Sequence, residues 1–116
     1  MGRIAWIILC MCMAGPASAE AQRITDKNTF LTIVGNKTLA RPFVSLQVSP
    51  DGKINGKGAG RTVTGEWSWN DGYFCRTMFW GTRELSYNCQ AVDQVGEKLR
   101  FTADQGAGMA ADFSLR

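Results

Sequence analysis

A mainly β fold is predicted, with one short N-terminal helix followed by a small antiparallel meander sheet or barrel held by one hairpin disulfide. Three observations lead there. From Lys37 onward apolar and polar residues alternate with a period of two. Clusters of Gly, Asp, Asn and Pro interrupt that alternation at hairpin-like intervals. Two cysteines, Cys75 and Cys89, fall opposite each other when one of those hairpins is drawn out. The expected organisation is a leader over residues 1–19, a polar lead-in and short helix over 20–36, and an antiparallel β domain over 37–116 that folds as one unit with the helix.

The first 19 residues carry Arg3, an apolar run from Ile4 to Ala14 and the small-residue site Ala17-Ser18-Ala19. That is the pattern of a secretory signal peptide cleaved after Ala19, so a periplasmic or secreted protein is expected. The run is too short for a mature transmembrane segment. Cys10 and Cys12 follow Leu9 and Met11 rather than the small residue that lipoprotein processing requires, so no lipid anchor is expected. Removing 19 of 116 residues leaves 97, a single small domain with a thin stability margin. Loss of Arg3 lowers the formal charge from +3 to +2, too weak and too scattered for a nucleic-acid partner.

Glu20 to Arg23 read as a polar lead-in. Thr25 is the expected N-cap of a helix from Asp26 to Val34, with Gly35 as a left-handed exit and Phe30, Leu31 and Val34 as the docking face. Val44, Leu46 and Val48 then alternate with polar residues up to the turn Pro50-Asp51-Gly52. Val63, Trp67 and Trp69 mark the core face of the next long strand, which ends at Asn70-Asp71-Gly72. Val95-Gly96 marks another turn, ahead of alternating Leu99, Phe101 and Ala103. Phe113 and Leu115 suggest a last strand after the loop from Gln105 to Met109. About seven short strands in meander order make a small barrel or curled sheet.

The hairpin over 73–79 and 84–91 is the organising element. With Trp80 and Glu84 flanking a three-residue loop, Phe79 meets Leu85, Thr77 meets Tyr87 and Cys75 meets Cys89, which puts the cysteines within disulfide range. The same register sorts two faces. Tyr73, Cys75, Thr77, Phe79, Leu85, Tyr87 and Cys89 form a core-like set. Phe74, Arg76, Met78, Trp80, Glu84, Ser86, Asn88 and Gln90 form a mixed face, read as solvated or as a contact surface.

Candidate chemistry is sparse. The chain has no histidine, which excludes Ser-His-Asp and Cys-His sites and the common zinc sets. Gly56-Lys57-Gly58-Ala59-Gly60-Arg61 has Arg61 where a nucleotide-binding loop needs its third glycine, and a strand-like Thr62-Val63-Thr64 follows. Asp51 to Gly56 opens like a calcium loop, but Lys53 and Thr62 stand at ligand positions. Asn36-Lys37-Thr38 is a chance-frequency glycosylation triplet. No catalytic residue, cofactor or metal ligand is therefore expected.

Taken in order, the leader, the short helix with Phe30 and Gly35, Asp51-Gly52, Gly65-x-Trp67-x-Trp69, Asp71-Gly72-Tyr73-Phe74-Cys75-Arg76 and Asn88-Cys89-Gln90 resemble a group of short exported proteins of alphaproteobacteria. The resemblance spans nearly the whole mature chain, through structural motifs, and carries no catalytic residue with it. Some members bear the label dihydrodipicolinate reductase. That label does not suit these residues, because the enzyme's nucleotide-binding domain needs more chain and a glycine fingerprint at a helix start.

Two function classes follow. One is a non-enzymatic binding module of the cell envelope, in which Phe74, Arg76, Met78 and Trp80 meet a protein, an envelope polymer or a small ligand. Within that class a hollow barrel would make the protein a small-molecule carrier. Trp80 has a rival structural role, folding back over a neighbouring strand. The other class is an exported hydrolase using a carboxylate pair among Glu66, Asp71, Glu84 and Asp93.

Overall fold

The computed structural model describes residues 20–116, so the leader reading lies outside the described residues. The strands among them are β1 (Ala21–Ile24), β2 (Leu39–Arg41), β3 (Val44–Val48), β4 (Lys53–Gly58), β5 (Arg61–Asn70), β6 (Tyr73–Trp80), β7 (Arg83–Val95), β8 (Lys98–Thr102) and β9 (Ala110–Leu115). Helix α1 (Lys27–Val34) lies between β1 and β2, and one 3-10 turn (Asp104–Gly106) lies between β8 and β9. From β2 to β9 every strand pairs antiparallel with its neighbours in sequence, and β2 also pairs with β9 through Leu39↔Leu115 and Ala40↔Ser114. The result is a closed eight-stranded antiparallel barrel. Strand β1 stands outside the ring, paired to the far half of β7 from Ala21↔Val95 to Ile24↔Val92. The lead-in is thus a strand, and its polar Gln22 and Arg23 hid it, since Ile24 alone of its residues is buried.

Helix α1 forms where the dipolar start is capped and one side is apolar. The cap is Asp26, one residue later than expected: its carboxylate accepts from the Thr29 amide at 3.0 Å and from the Thr29 hydroxyl at 2.6 Å. The left-handed exit is also displaced, from Gly35 to Asn36 at φ 57°, while the Gly35 amide donates to the Leu31 carbonyl. Phe30 and Val34 are buried, and the Phe30 ring meets Trp67, Trp69, Phe74 and Phe101 at centroid distances of 5.1–6.3 Å. An eight-residue helix is marginal alone. It holds because this aromatic cluster stoppers one end of the barrel.

The turn from β5 to β6 has Asp71 at φ 51° and Gly72 at φ 82°, the two left-handed positions of the tight hairpin turn whose twist suits the flanking strands. That turn pairs Val63↔Trp80, Gly65↔Met78, Trp67↔Arg76 and Trp69↔Phe74. Opposed residues share a face, so the buried face of β5 continues into Phe74, Arg76, Met78 and Trp80. The expected face assignment is therefore inverted along β6, although Cys75 is buried and Leu85 of β7 turns inward as expected. Phe74 is 3% exposed, whereas Phe79 is 40% and Tyr87 60% exposed.

The disulfide forms as expected between Cys75 and Cys89, whose Cα atoms are 3.9 Å apart. Beyond it the pairing changes. The β6–β7 loop has two residues, Gly81 and Thr82, so Trp80 pairs with Arg83, Phe79 with Glu84 and Met78 with Leu85. A bulge between Arg76 and Met78 restores the register that aligns the cysteines, and across it the inward parity on β7 switches from Leu85 to Asn88 and Gln90.

Three depressed carboxyls sit at surface contacts. The Thr29 hydroxyl and amide hold Asp26 below its ordinary value, the Lys53 ammonium does so for Glu66 at 2.6 Å, and the Arg100 guanidinium does so for Asp112 through bonds of 2.7 and 3.1 Å. At acid pH the folded chain binds fewer protons at these groups than the unfolded chain. Their stabilising effect is complete above the ordinary carboxyl value, about 4, and disappears as the pH falls through the depressed values. Urea midpoints at about pH 5 and about pH 3 should therefore differ, with the acid value lower. Asp26→Asn should reduce the difference; an identical difference in that variant would remove Asp26 from the account.

Candidate functional site

The inner face of the barrel is unevenly filled. Toward α1 it holds Trp67, Phe74 and Phe101 in contact with Phe30. Away from α1, β4 and β5 turn Gly56, Gly58 and Gly65 inward, between inward Ile54 and Val63. A Cβ on Gly56 or Gly65 would strike the backbone of the adjacent strand at Ser45 or Thr77, so these glycines let the strands coil tightly. Gly58 instead faces Val63 and Trp80 and leaves space beside them. A cavity of about 540 Å³ occupies this half of the barrel, within the range of sites for one small molecule.

Its walls are apolar: Val44, Leu46 and Val48 of β3, Ile54 of β4, Val63 of β5, Met78 and Trp80 of β6, Leu85 of β7, and Phe113 of β9. The floor is Phe74 and Phe101. The mouth lies among the turns at the end opposite α1, with Pro42, Phe43 and Ala59 at its rim. Phe43, the second residue of the two-residue turn between β2 and β3, is 88% exposed and has a left-handed backbone at φ 65°, an uncommon conformation for a bulky residue. Trp80 sits half-buried at the same end, its indole N–H donating to the Gly58 carbonyl at 2.7 Å and its ring under the Arg61 guanidinium at 4.6 Å. Trp80 therefore folds over a neighbouring strand, the rival role named above, and in doing so becomes part of the cavity wall.

The polar side chains of the wall are few: Arg41, Arg76 and Gln90. Arg41 lies near the rim with its guanidinium over the Phe113 ring at 5.7 Å. Arg76 is deeper, on the same strand face as Phe74 and Met78. Its Nη1 donates to the Ser86 carbonyl at 2.7 Å, an oxygen in the segment of β7 that the bulge distorts. Burial pushes the Arg76 guanidinium below its ordinary value.

All four residues singled out on the mixed face, Phe74, Arg76, Met78 and Trp80, are thus brought together, on an interior wall rather than an outer surface. Gln90, from the same mixed face, and Leu85, from the expected core-like set, also line the chamber beside them on β7, while Leu46 of β3 and Phe113 of β9 form the far wall that the sequence reading did not single out. The signal for it was the alternation on β3 and β9, usable only once the ring is known to close. The carboxylates considered for hydrolysis do not meet in a cleft. Glu66 pairs with Lys53 in the open, Asp71 is a turn residue, Glu84 is exposed opposite Phe79, and Asp93 alternates with buried Val92; none lines the cavity. Among the described residues no His, Cys, Asp and Glu cluster fit to hold a metal ion is present, and no helix is long and apolar enough to cross a membrane.

Fold and cavity together define the chain as a small disulfide-tied β barrel with an apolar chamber open at one end. Comparison with protein-family profiles, curated proteins and solved structures gives no match.

Proposed function

We propose that the protein is a non-enzymatic carrier that binds one small apolar molecule inside its barrel, and that it works in the periplasm or outside the cell. The observation that carries the proposal is the chamber of about 540 Å³, walled by aliphatic and aromatic side chains, stoppered by α1 and open at the other end. An eight-stranded barrel is wide enough either to fill with its own side chains or to hold one small ligand, and Gly58 of β4, which lines the chamber without a side chain, favours the second outcome here. The disulfide suits an oxidising compartment, in agreement with the leader and with the exported group that the chain resembles. A recognition surface made of the mixed face has less support, because that face is turned inward.

The experiment is a titration of the oxidised protein with dodecanol, a neutral apolar probe, followed by tryptophan emission and by thermal melting. Emission should change to saturation at one equivalent, since Trp80 lies in the wall. At a hundredfold excess over Kd the melting temperature should rise by about 10 °C. Leu85→Trp, which puts bulk into the chamber, should keep the fold and lose the response. A wild-type protein indifferent to dodecanol, or a Leu85→Trp variant that binds it equally well, would overturn the carrier assignment.

A further inference from the structure

The chamber is apolar except for a charge set where an apolar ligand alone would not need one. Arg76 stands between Phe74 and Met78 along the inner face of β6, opposite Trp67 on one neighbouring strand and Asn88 on the other. A guanidinium has five N–H donors in a planar fork. Among the described residues the Arg76 fork has one hydrogen-bond partner, the Ser86 carbonyl, and no carboxylate within ion-pair distance. The other arginines near the chamber are differently placed. Arg41 and Arg61 lie toward the rim against aromatic rings, and Arg100 is bound to Asp112 by two hydrogen bonds.

Arg76 is partly buried, so its guanidinium loses part of its hydration with only one carbonyl in return, and a partner that brings an anion completes the arrangement. The Gln90 amide also lines the chamber, two positions along β7 from Asn88, and can add a neutral donor. Resting on the carrier assignment, we infer that the ligand is an amphiphile with a single acidic head, which enters head first and pairs with the free donors of Arg76 while its apolar body lies against Met78, Trp80 and Phe113 toward the mouth. The planar fork favours a carboxylate, which it can grip through two parallel hydrogen bonds. Burial raises the worth of that pairing over the same contact in water.

The test compares three probes with one apolar body: dodecanoate, dodecanol and dodecylamine, each titrated into the oxidised protein at neutral pH with tryptophan emission as readout. Dodecanoate should bind at least about tenfold more tightly than dodecanol, and dodecylamine should bind more weakly than either. Arg76→Met, which keeps the length and apolar stem, should abolish the preference for dodecanoate while dodecanol affinity stays within about twofold. Arg76→Lys, which keeps the charge, should retain part of it, and thermal melting shows that each variant is folded. The wild-type order needs no variant, so a misfolded variant leaves the inference open to refutation. Equal binding of dodecanoate and dodecanol by the wild type, or a preference that survives Arg76→Met, overturns the acidic head while leaving the carrier intact. Failure of all three probes to bind overturns both.

Discussion

Phe30→Ala is expected to destabilise the protein by about 3 to 5 kcal/mol, most of the stability of a domain at the low end of the usual range of about 5 to 15 kcal/mol. Phe30 is fully buried, and its ring is the hub at which helix α1 meets the barrel, with Trp67, Trp69, Phe74 and Phe101 around it. Removing the ring deletes its own burial and leaves a void between strands β5, β6 and β8 and a short helix, which can relax only by letting the helix go. Trp69 would follow, because its indole N–H donates to the Thr25 carbonyl at 3.0 Å, just before the helix. Urea denaturation read by near-ultraviolet circular dichroism gives the number. A loss under about 1 kcal/mol would mean that the helix is not the stopper of the barrel.

Removing the disulfide should cost somewhat less, about 3 kcal/mol on the chain-entropy account, for the bridge spans a sequence separation of 14 residues. The cost has a second origin. Cys75 is 1% exposed, so a double Cys75→Ala, Cys89→Ala variant also loses buried sulfur from one side of the sheet. The bridge lies immediately beside the bulge, at the point where β6 and β7 return to the alignment that places Arg76 opposite Asn88. Its loss should therefore lower dodecanoate affinity as well as the urea midpoint. Mass spectrometry without reductant establishes the bridge in the recovered protein, and an unchanged midpoint after reduction would falsify its stabilising role.

Much of the fold was legible because the physics is local. A period of two, turn residues at Asp51-Gly52 and Asp71-Gly72, and two cysteines in cross-strand register need no knowledge of the rest of the molecule. The faces of the hairpin were misjudged although the information was present. Once Trp67 and Trp69 are assigned to the core and Asp71-Gly72 to a two-residue turn, opposed residues on β5 and β6 must share a face, and that face contains Phe74, Arg76, Met78 and Trp80. The arginine and the hairpin-end tryptophan argued for an exposed surface only while β6 was read against β7 alone. The bulge could not be read, because either of two registers fits the residues between Met78 and Leu85. The cavity could not be read either, since it depends on β2 meeting β9 across the whole length of the domain and on glycines that look like ordinary turn formers in the linear sequence.

That last pairing also sets how the molecule assembles. Within the ring, every other strand contact joins neighbours through a short turn and can zip as soon as both are present, whereas β2 and β9 must find each other across about 70 residues of chain. Two residue pairs, with reciprocal backbone hydrogen bonds of 2.7 and 2.9 Å between Thr38 and Arg116, make the whole seam. Loop-closure entropy opposes that contact most, and little area rewards it. The expected folding order is a ribbon of hairpins that curls until its two ends clasp, with the clasp as the slow event.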